Sequence, residues 1–271
     1  MKLIEMIMKN NPCYKARKTI TVKGLMLHSV GCPQPSASVF ISSWNKESYS
    51  NACVHGFIDA NDGTFYQTLP WNYRGWHCGG TANGTHIGVE MCEPSCIRYT
   101  GGATFTCSDK KAAQKMVKRT YEAAVELFAM LCTKYGLNPT ADGVIISHSE
   151  GAKRGIASNH GDPEHLWKQL ETGYTMDGFR KDVKSKMENT KSEVKTESSA
   201  TKASKDFMVK VSIPDLNIRK GPGTNYEKTE KFTGVGSFTI TEVKSGTGSK
   251  AGWGKLKSGT GWISLDYAKK V

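Results

Sequence analysis

Several features that define large classes of protein are missing from this 271-residue sequence. No apolar stretch reaches the roughly 20 residues that a membrane-spanning helix needs, so insertion into a membrane is not expected. The first nine residues resemble a signal peptide only in part, because Glu5 interrupts their apolar run and no small-residue cleavage site follows. We therefore expect the chain to be made in the cytoplasm without a signal peptide.

The cysteines and the basic residues also lack the spacing of two common binding classes. None of the eight cysteines forms a Cys-x-x-Cys pair, which argues against a zinc finger, and reduced thiols are expected without an export signal. The formal net charge of +12 favours an anionic partner, yet no arginine-rich stripe or base-stacking aromatic motif is present. We expect a polyanionic surface such as a bacterial cell wall rather than nucleic acid.

The sequence predicts a larger domain, a linker and a smaller domain. Residues 188–205 contain almost no apolar side chains, which is typical of a flexible linker. Before the linker, apolar runs with strand character alternate with helical patterns; these strands are predicted at 18–30, 53–59, 64–69, 87–92 and 143–148. The pattern indicates an α/β domain over residues 1–187, with a mixed β-sheet flanked by helices. Five short strand-like runs with glycine-rich turns indicate a small all-β barrel over residues 206–271.

Helix boundaries are predicted from capping residues. The longest helix is expected to begin after Asp109, a good N-cap, and to run to Tyr135 with Gly136 as its stop. Pro163 is expected to begin a short helix. Another helix is expected from a cap at Thr175 to Met187.

Three histidines and an aspartate are candidates for one metal site. His28 and His148 each end a buried strand, and such positions project into the crevice where open α/β sheets bind ligands. His160 and Asp162 follow closely in the chain. Imidazole nitrogen and carboxylate oxygen suit Zn²⁺, and the assignment is His28, His148 and Asp162. The spacing leaves open a set with His160 in place of Asp162, as well as histidines that are simply buried in the core.

A second group of residues is predicted to act beside the metal. Glu90 lies in an apolar strand and is predicted to be a catalytic base, although an outward-facing residue would fit the same alternation. His160 is predicted to donate a hydrogen bond to the negatively charged oxygen that forms on a scissile carbonyl during hydrolysis. His55, Trp76 and His77 are predicted to bind substrate, with a structural turn as the alternative for the glycine-rich segment after Trp76.

Motifs in the first domain resemble those of the type 2 N-acetylmuramoyl-L-alanine amidases, a zinc family related to peptidoglycan recognition proteins. The resemblance covers residues 19–183, and its motifs are Leu27-His28-Ser29, segment 57–70, Arg74-Gly75-Trp76-His77, Ile87-Gly88-Val89-Glu90, Ser147-His148-Ser149-Glu150 and Asp162-Pro163. It implies zinc on His28, His148 and Asp162, with Glu90 catalytic. Many relatives have lysine where this chain has His160, and tyrosine where it has His55.

The last domain resembles a bacterial SH3 domain, a module that commonly attaches wall hydrolases to peptidoglycan. The resemblance is carried by Leu216-Asn217-Ile218-Arg219-Lys220-Gly221-Pro222-Gly223 and by Gly261-Trp262-Ile263. The whole arrangement is similar to phage endolysins and autolysins of clostridia and related Gram-positive bacteria. It implies a zinc amidase that acts on the cell wall after release, with a host autolysin or a non-catalytic peptidoglycan receptor as alternatives.

Overall fold

The computed structural model describes residues 1–200 and 206–271. The chain divides into two units, Met1–Thr190 and Lys191–Val271, and this division falls inside the predicted linker. Each unit has its own apolar core. None of the described helices is both long and apolar enough to cross a membrane.

A mixed β-sheet forms the centre of the first unit. The strands described there are β1 (Leu3–Glu5), β2 (Gly24–Ser29), β3 (Gly56–Ile58), β4 (Phe65–Gln67), β5 (His86–Met91), β6 (Ile97–Gly101), β7 (Thr104–Cys107) and β8 (Ile145–Ser147). Six of them form one sheet in the order β1-β4-β3-β5-β2-β8, and β6 and β7 form a separate hairpin. Within the sheet, β3 and β4 are antiparallel and the other neighbours are parallel. The predicted mixed sheet is confirmed.

Helices cover both faces of this sheet. They are α1 (Pro12–Lys15), α2 (Ala37–Trp44), α3 (Lys110–Tyr135), α4 (His148–Lys153), α5 (Glu164–Gln169) and α6 (Met176–Ala200). Successive strand residues point to opposite faces, so Leu25 and Leu27 pack with α3 while Phe57 packs with α2 on the other side. The predicted caps of α3 are confirmed: Asp109 accepts a hydrogen bond from the Ala112 amide, and Gly136 ends the helix with a φ of 64°.

The last helix of the first unit continues past its predicted end. Thr175 caps it as expected, because its hydroxyl accepts a hydrogen bond from the Gly178 amide. However, α6 reaches Ala200 rather than Met187, and so continues into the predicted linker. The sequence between these two residues contains no glycine or proline that would end a helix, and its lysines and glutamates have good helix propensity. The remainder of the predicted linker, residues 201–205, lies outside the described residues.

The second unit is an antiparallel β structure. Its strands are β9 (Phe207–Val211), β10 (Asn217–Arg219), β11 (Lys228–Phe232), β12 (Gly236–Lys244), β13 (Trp253–Leu256), β14 (Trp262–Ser264) and β15 (Ala268–Lys270). They pair in the order β11-β10-β14-β13-β12-β9-β15 around a core that includes Val209, Ile240 and Ile263. Five of these strands are predicted from the sequence. The charged strands β11 and β15 are not, because they lack an apolar alternation.

Candidate metal centre

Three parallel strands bring the predicted site residues to one edge of the sheet. β2 lies between β5 and β8, and His28 of β2 stands opposite Glu90 of β5 in the strand register. His148 directly follows β8 and is the first residue of α4, one position beyond the observed end of the strand. Ser147 and Glu150 form a capping box at that junction, with the Glu150 amide 3.0 Å from Ser147 Oγ. The cap fixes the direction in which the chain leaves the strand.

Donor atoms of two histidines and one aspartate converge at this edge. His28 Nδ1 lies 3.1 Å from His148 Nδ1 and 3.3 Å from Asp162 Oδ2, and His148 Nδ1 lies 3.5 Å from Asp162 Oδ1. All three residues are buried. A tetrahedral metal ion with bonds of about 2.0–2.1 Å has donor atoms about 3.3–3.4 Å apart, so the spacing fits one. The structure thus brings together the predicted set with Asp162.

The charges around this cluster favour an anionic aspartate beside the histidines. Burial alone would lower the pKa of His28, but the hydrogen bond to Asp162 and the charges of Glu90 and Asp162 raise it. Burial would raise the pKa of Asp162, yet the hydrogen bond and positive charge of His28 hold it below its usual value. Burial and the charge of His28 lower the pKa of His148 to about 4. A cation is therefore well matched to the cluster, since a negative carboxylate and a neutral imidazole already face it.

Glu90 has the character of a proton-transfer group. Burial raises its pKa to about 8, and the nearby carboxylates of Asp162 and Glu93 act in the same direction against the opposing charge of His28. Its Oε2 is buried and has no hydrogen-bond partner among the described residues. A carboxyl group whose pKa lies close to neutral can exist in both protonation states, so with a vacant hydrogen-bonding oxygen it can accept a proton and return it.

The other predicted residues differ in where the structure places them. Trp76, His77 and His160 line a groove of about 930 Å³, which Glu90 also lines. His160 is exposed, and its ring lies against that of His148 with centroids 4.4 Å apart.

His55 lies in the core instead of at the groove surface. It is fully buried, its Nε2 donates to the Tyr73 carbonyl, and its Nδ1 accepts from the Gly88 amide. Both ring nitrogens are therefore satisfied by the backbone, which leaves no atom of this histidine for a substrate.

Outer hydrogen bonds hold the two histidines of the cluster. His28 Nε2 lies 3.0 Å from His77 Nδ1, and His77 Nε2 donates to the His86 carbonyl at 3.2 Å. His148 Nε2 lies 3.1 Å from the Ser158 hydroxyl. Metal-binding histidines generally have such partners, which orient the rings.

A network that sequence reasoning missed lies beside the groove. The Tyr99 hydroxyl donates to Glu93 Oε2 at 2.8 Å and lies 2.7 Å from His165 Nε2. Burial raises the pKa of Glu93 to about 7. Tyr99 comes from the β6–β7 hairpin, whose Gly101-Gly102 pair is the sequence signal that could have identified the turn. Tyr99 and His165 both line the groove, where they add polar groups that can contact a ligand.

Sequence comparison finds a matching family and a curated relative. The family pattern described as N-acetylmuramoyl-L-alanine amidase matches residues 18–165. The Bacillus subtilis (strain 168) protein YrvJ, itself named as a candidate amidase of this kind, is 30% identical over 127 residues. That match covers 46% of this chain and 21% of YrvJ, so the chain spans about a fifth of the length of this curated relative.

Comparison with solved structures finds similarity at low sequence identity. The Staphylococcus aureus hydrolase AmiA, determined in complex with its ligand, aligns with a TM-score of 0.51 at 20% identity, over 69% of this chain and 82% of AmiA. A mutant endolysin from Bacillus subtilis aligns with a TM-score of 0.46 at 18% identity, over 68% of this chain and 99% of the endolysin. Because the family pattern covers more than half of the sequence, this chain belongs to the N-acetylmuramoyl-L-alanine amidase family.

Proposed function

We propose that the chain is a zinc-dependent amidase that hydrolyses the bond between N-acetylmuramic acid and the first L-alanine of peptidoglycan. The observation that carries the proposal is the convergence of His28, His148 and Asp162, the last two of which line the same groove as Glu90. Three protein ligands with room for a fourth are the usual arrangement of catalytic zinc, whereas structural zinc sites are closed by four. Membership of the amidase family supports the same reaction.

The residues of the groove have separate roles in this reaction. Bound zinc would act as a Lewis acid on the scissile carbonyl and lower the pKa of water. Glu90 accepts the proton of the attacking water at its unpartnered Oε2 and returns it to the amine of the departing L-alanine. His160 donates a hydrogen bond to the carbonyl oxygen as negative charge develops, an interaction typically worth about 2.7–4 kcal/mol. Trp76 and Tyr99 form walls that position the sugar and the stem peptide.

We further propose that the protein acts on the cell wall as a phage endolysin of Gram-positive, clostridial bacteria. Support comes from the resemblance of the second unit to a bacterial SH3 domain and from the formal net charge of +12, which suits an anionic wall polymer. In this proposal the chain is made in the cytoplasm and reaches peptidoglycan after release. The second unit then binds the wall while the first unit cleaves it.

The amidase reaction is tested by digestion of purified Gram-positive cell walls with the full chain. Mass spectrometry should identify new amino termini as L-alanine, with intact glycan strands. Glu90→Gln should reduce the rate about 10²–10⁴-fold, because it removes the proton-transfer group. Glu47→Gln, an exposed glutamate that does not line the groove, serves as the matched control and should keep the wild-type rate.

Two results would contradict the proposal. One is release of reducing sugars or of other amino termini in place of L-alanine. The other is a Glu90→Gln variant that digests walls as fast as the Glu47→Gln control.

A further inference from the structure

The hydrogen bonds of His77 determine which of its nitrogens carries a hydrogen. Its Nε2 lies 3.2 Å from the backbone carbonyl of His86, and a carbonyl oxygen can only accept. The hydrogen is therefore on Nε2. In a neutral imidazole the other nitrogen is an acceptor, so His77 Nδ1 presents a lone pair to His28 Nε2 at 3.0 Å. His28 Nε2 must then carry a hydrogen and donate it.

This arrangement determines the state of the nitrogen that faces the cluster. With Nε2 of His28 occupied by a hydrogen, Nδ1 is the nitrogen that can present a lone pair towards His148 and Asp162. The same holds if His28 is protonated, since the hydrogen on Nδ1 is then the one that a metal ion displaces. We propose that His77 is a positioning residue, which fixes the tautomer and the orientation of His28 so that Nδ1 is available to bind the metal. This inference rests on the proposed metal-dependent function.

Two glycines hold the ring of His77 in this position. A Cβ atom at Gly88 would lie 2.4 Å from the His77 ring, and one at Gly75 would lie 2.8 Å from it. The ring therefore occupies space that a Cβ atom at either position would fill. The His28 and His77 rings meet edge to face, with centroids 5.1 Å apart and an interplanar angle of 78°. Close packing on both sides keeps the ring from turning, so the carbonyl of His86 controls the tautomer.

The affinity of the full chain for Zn²⁺ tests the role of His77 without any measurement of activity. In competition with a chromophoric chelator, His77→Phe should bind Zn²⁺ about 10–100-fold more weakly than wild type, because the acceptor for His28 is lost. His77→Asn should recover most of the affinity, since its Oδ1 can accept the same hydrogen bond. Tyr121→Phe is the matched control, because it removes one hydrogen bond of a buried ring, to Asp182, outside the cluster. Thermal unfolding of each metal-free variant shows whether it is folded.

A direct measurement of the tautomers removes dependence on any variant. NMR of the metal-free chain labelled with ¹⁵N-histidine should show hydrogen on Nε2 of both His28 and His77, and none on Nδ1 of His77. Hydrogen on His77 Nδ1, or a neutral His28 with hydrogen on Nδ1, would overturn the inference. So would a folded His77→Phe variant with wild-type affinity for Zn²⁺. If wild type bound no Zn²⁺ while the tautomers were as expected, the proposed function would fail instead.

Discussion

At the scale of single residues, burial and nearby charges have opposing effects on the pKa values of the carboxyl groups at the site. The pKa of Glu90 is raised because burial disfavours its carboxylate, whereas the pKa of Asp162 is lowered because His28 and His148 face it. Two carboxyl groups near one cluster are thus held in different protonation states by their surroundings. Separation of this kind is how a site assigns one acid to binding and another to proton transfer.

The pH dependence of stability follows from these values. The pKa values of about 8 for Glu90 and about 7 for Glu93 and Glu164 exceed their usual 4.5, so the folded state holds protons that the unfolded chain releases. Their stabilising contribution is complete below pH 4.5 and is lost as the pH rises through these higher values. Burial lowers the pKa values of His55 and His148 from 6.5 to about 4, so between these values the unfolded chain binds more protons there than the folded protein. Their effect on stability therefore rises with pH, but only up to pH 6.5.

We therefore expect the metal-free protein to lose stability between pH 6.5 and 8. Each proton released on unfolding contributes a slope of up to about 1.4 kcal/mol per pH unit. Urea unfolding in the presence of a chelator measures the slope, which should be shallower in Glu90→Gln. A free energy of unfolding that rises across this interval in wild type would contradict the assigned protonation of Glu90.

Sequence reasoning at this scale found the residues whose position follows from local pattern. His28 and His148 end apolar strands, so their approach could be predicted from strand direction, whereas the spacing left open whether His160 or Asp162 completes the set. The contact of His77 with His28, and of Tyr99 with Glu93 and His165, depends on how distant segments fold together. No local pattern contains that information, and for the same reason the burial of His55 was not foreseen.

At the scale of secondary structure, the junction of β8 and α4 connects stability to the candidate metal centre. Ser147 ends the strand, caps the helix and donates a hydrogen bond to Glu164 Oε1 at 2.7 Å. The next residue is His148. Loss of the cap should therefore change the position of a metal-facing side chain as well as the free energy of unfolding.

Ser147→Ala and Asp109→Ala separate these two effects. Each removes an N-cap and should lower the free energy of unfolding by about 0.5–2 kcal/mol. Only Ser147→Ala should weaken Zn²⁺ binding, because Asp109 caps α3, away from the cluster. Chemical unfolding and chelator competition on both variants make the comparison. Equal zinc affinity in the two variants would show that the cap has no part in placing His148.

Predictions of secondary structure succeeded where the boundary signals are local. The Asp109 cap and the glycine at 136 define α3 from both ends, and the strand at Phe207–Val211 matches its apolar pattern. The end of α6 was predicted too early because the residues after Met187 have a low apolar content. The lack of a glycine or proline there, which lets the helix continue, was given less weight. The hairpin β6–β7 was missed because its strands are short and contain few apolar residues, although Ile97, Tyr99 and Phe105 do pack with the core.

At the scale of the whole molecule, two units with separate cores are consistent with separate functions for catalysis and for binding to the wall. The first unit contains the groove and the cluster, and the second is an antiparallel β structure whose surface includes exposed Tyr226, Phe232 and Tyr267. Large exposed aromatic side chains are common where a module binds a ligand. We propose that the second unit raises the local concentration of the first at the wall.

Removal of residues 206–271 tests this division. The truncated chain should bind purified walls more weakly, as measured by co-sedimentation, while its turnover of a soluble muropeptide changes little. This expectation follows because the cluster and the groove lie entirely in the first unit. Equal losses of wall binding and of muropeptide turnover would indicate that the second unit is part of the catalytic fold.

One metal ion is proposed to bind between His28, His148 and Asp162. Anomalous diffraction at the zinc edge, from crystals of the full chain grown with Zn²⁺, tests it most directly. We expect a single strong peak about 2.0–2.1 Å from Nδ1 of each histidine and in contact with the aspartate carboxylate. A groove without such a peak, or a peak held by other residues while these three side chains point apart, would contradict it.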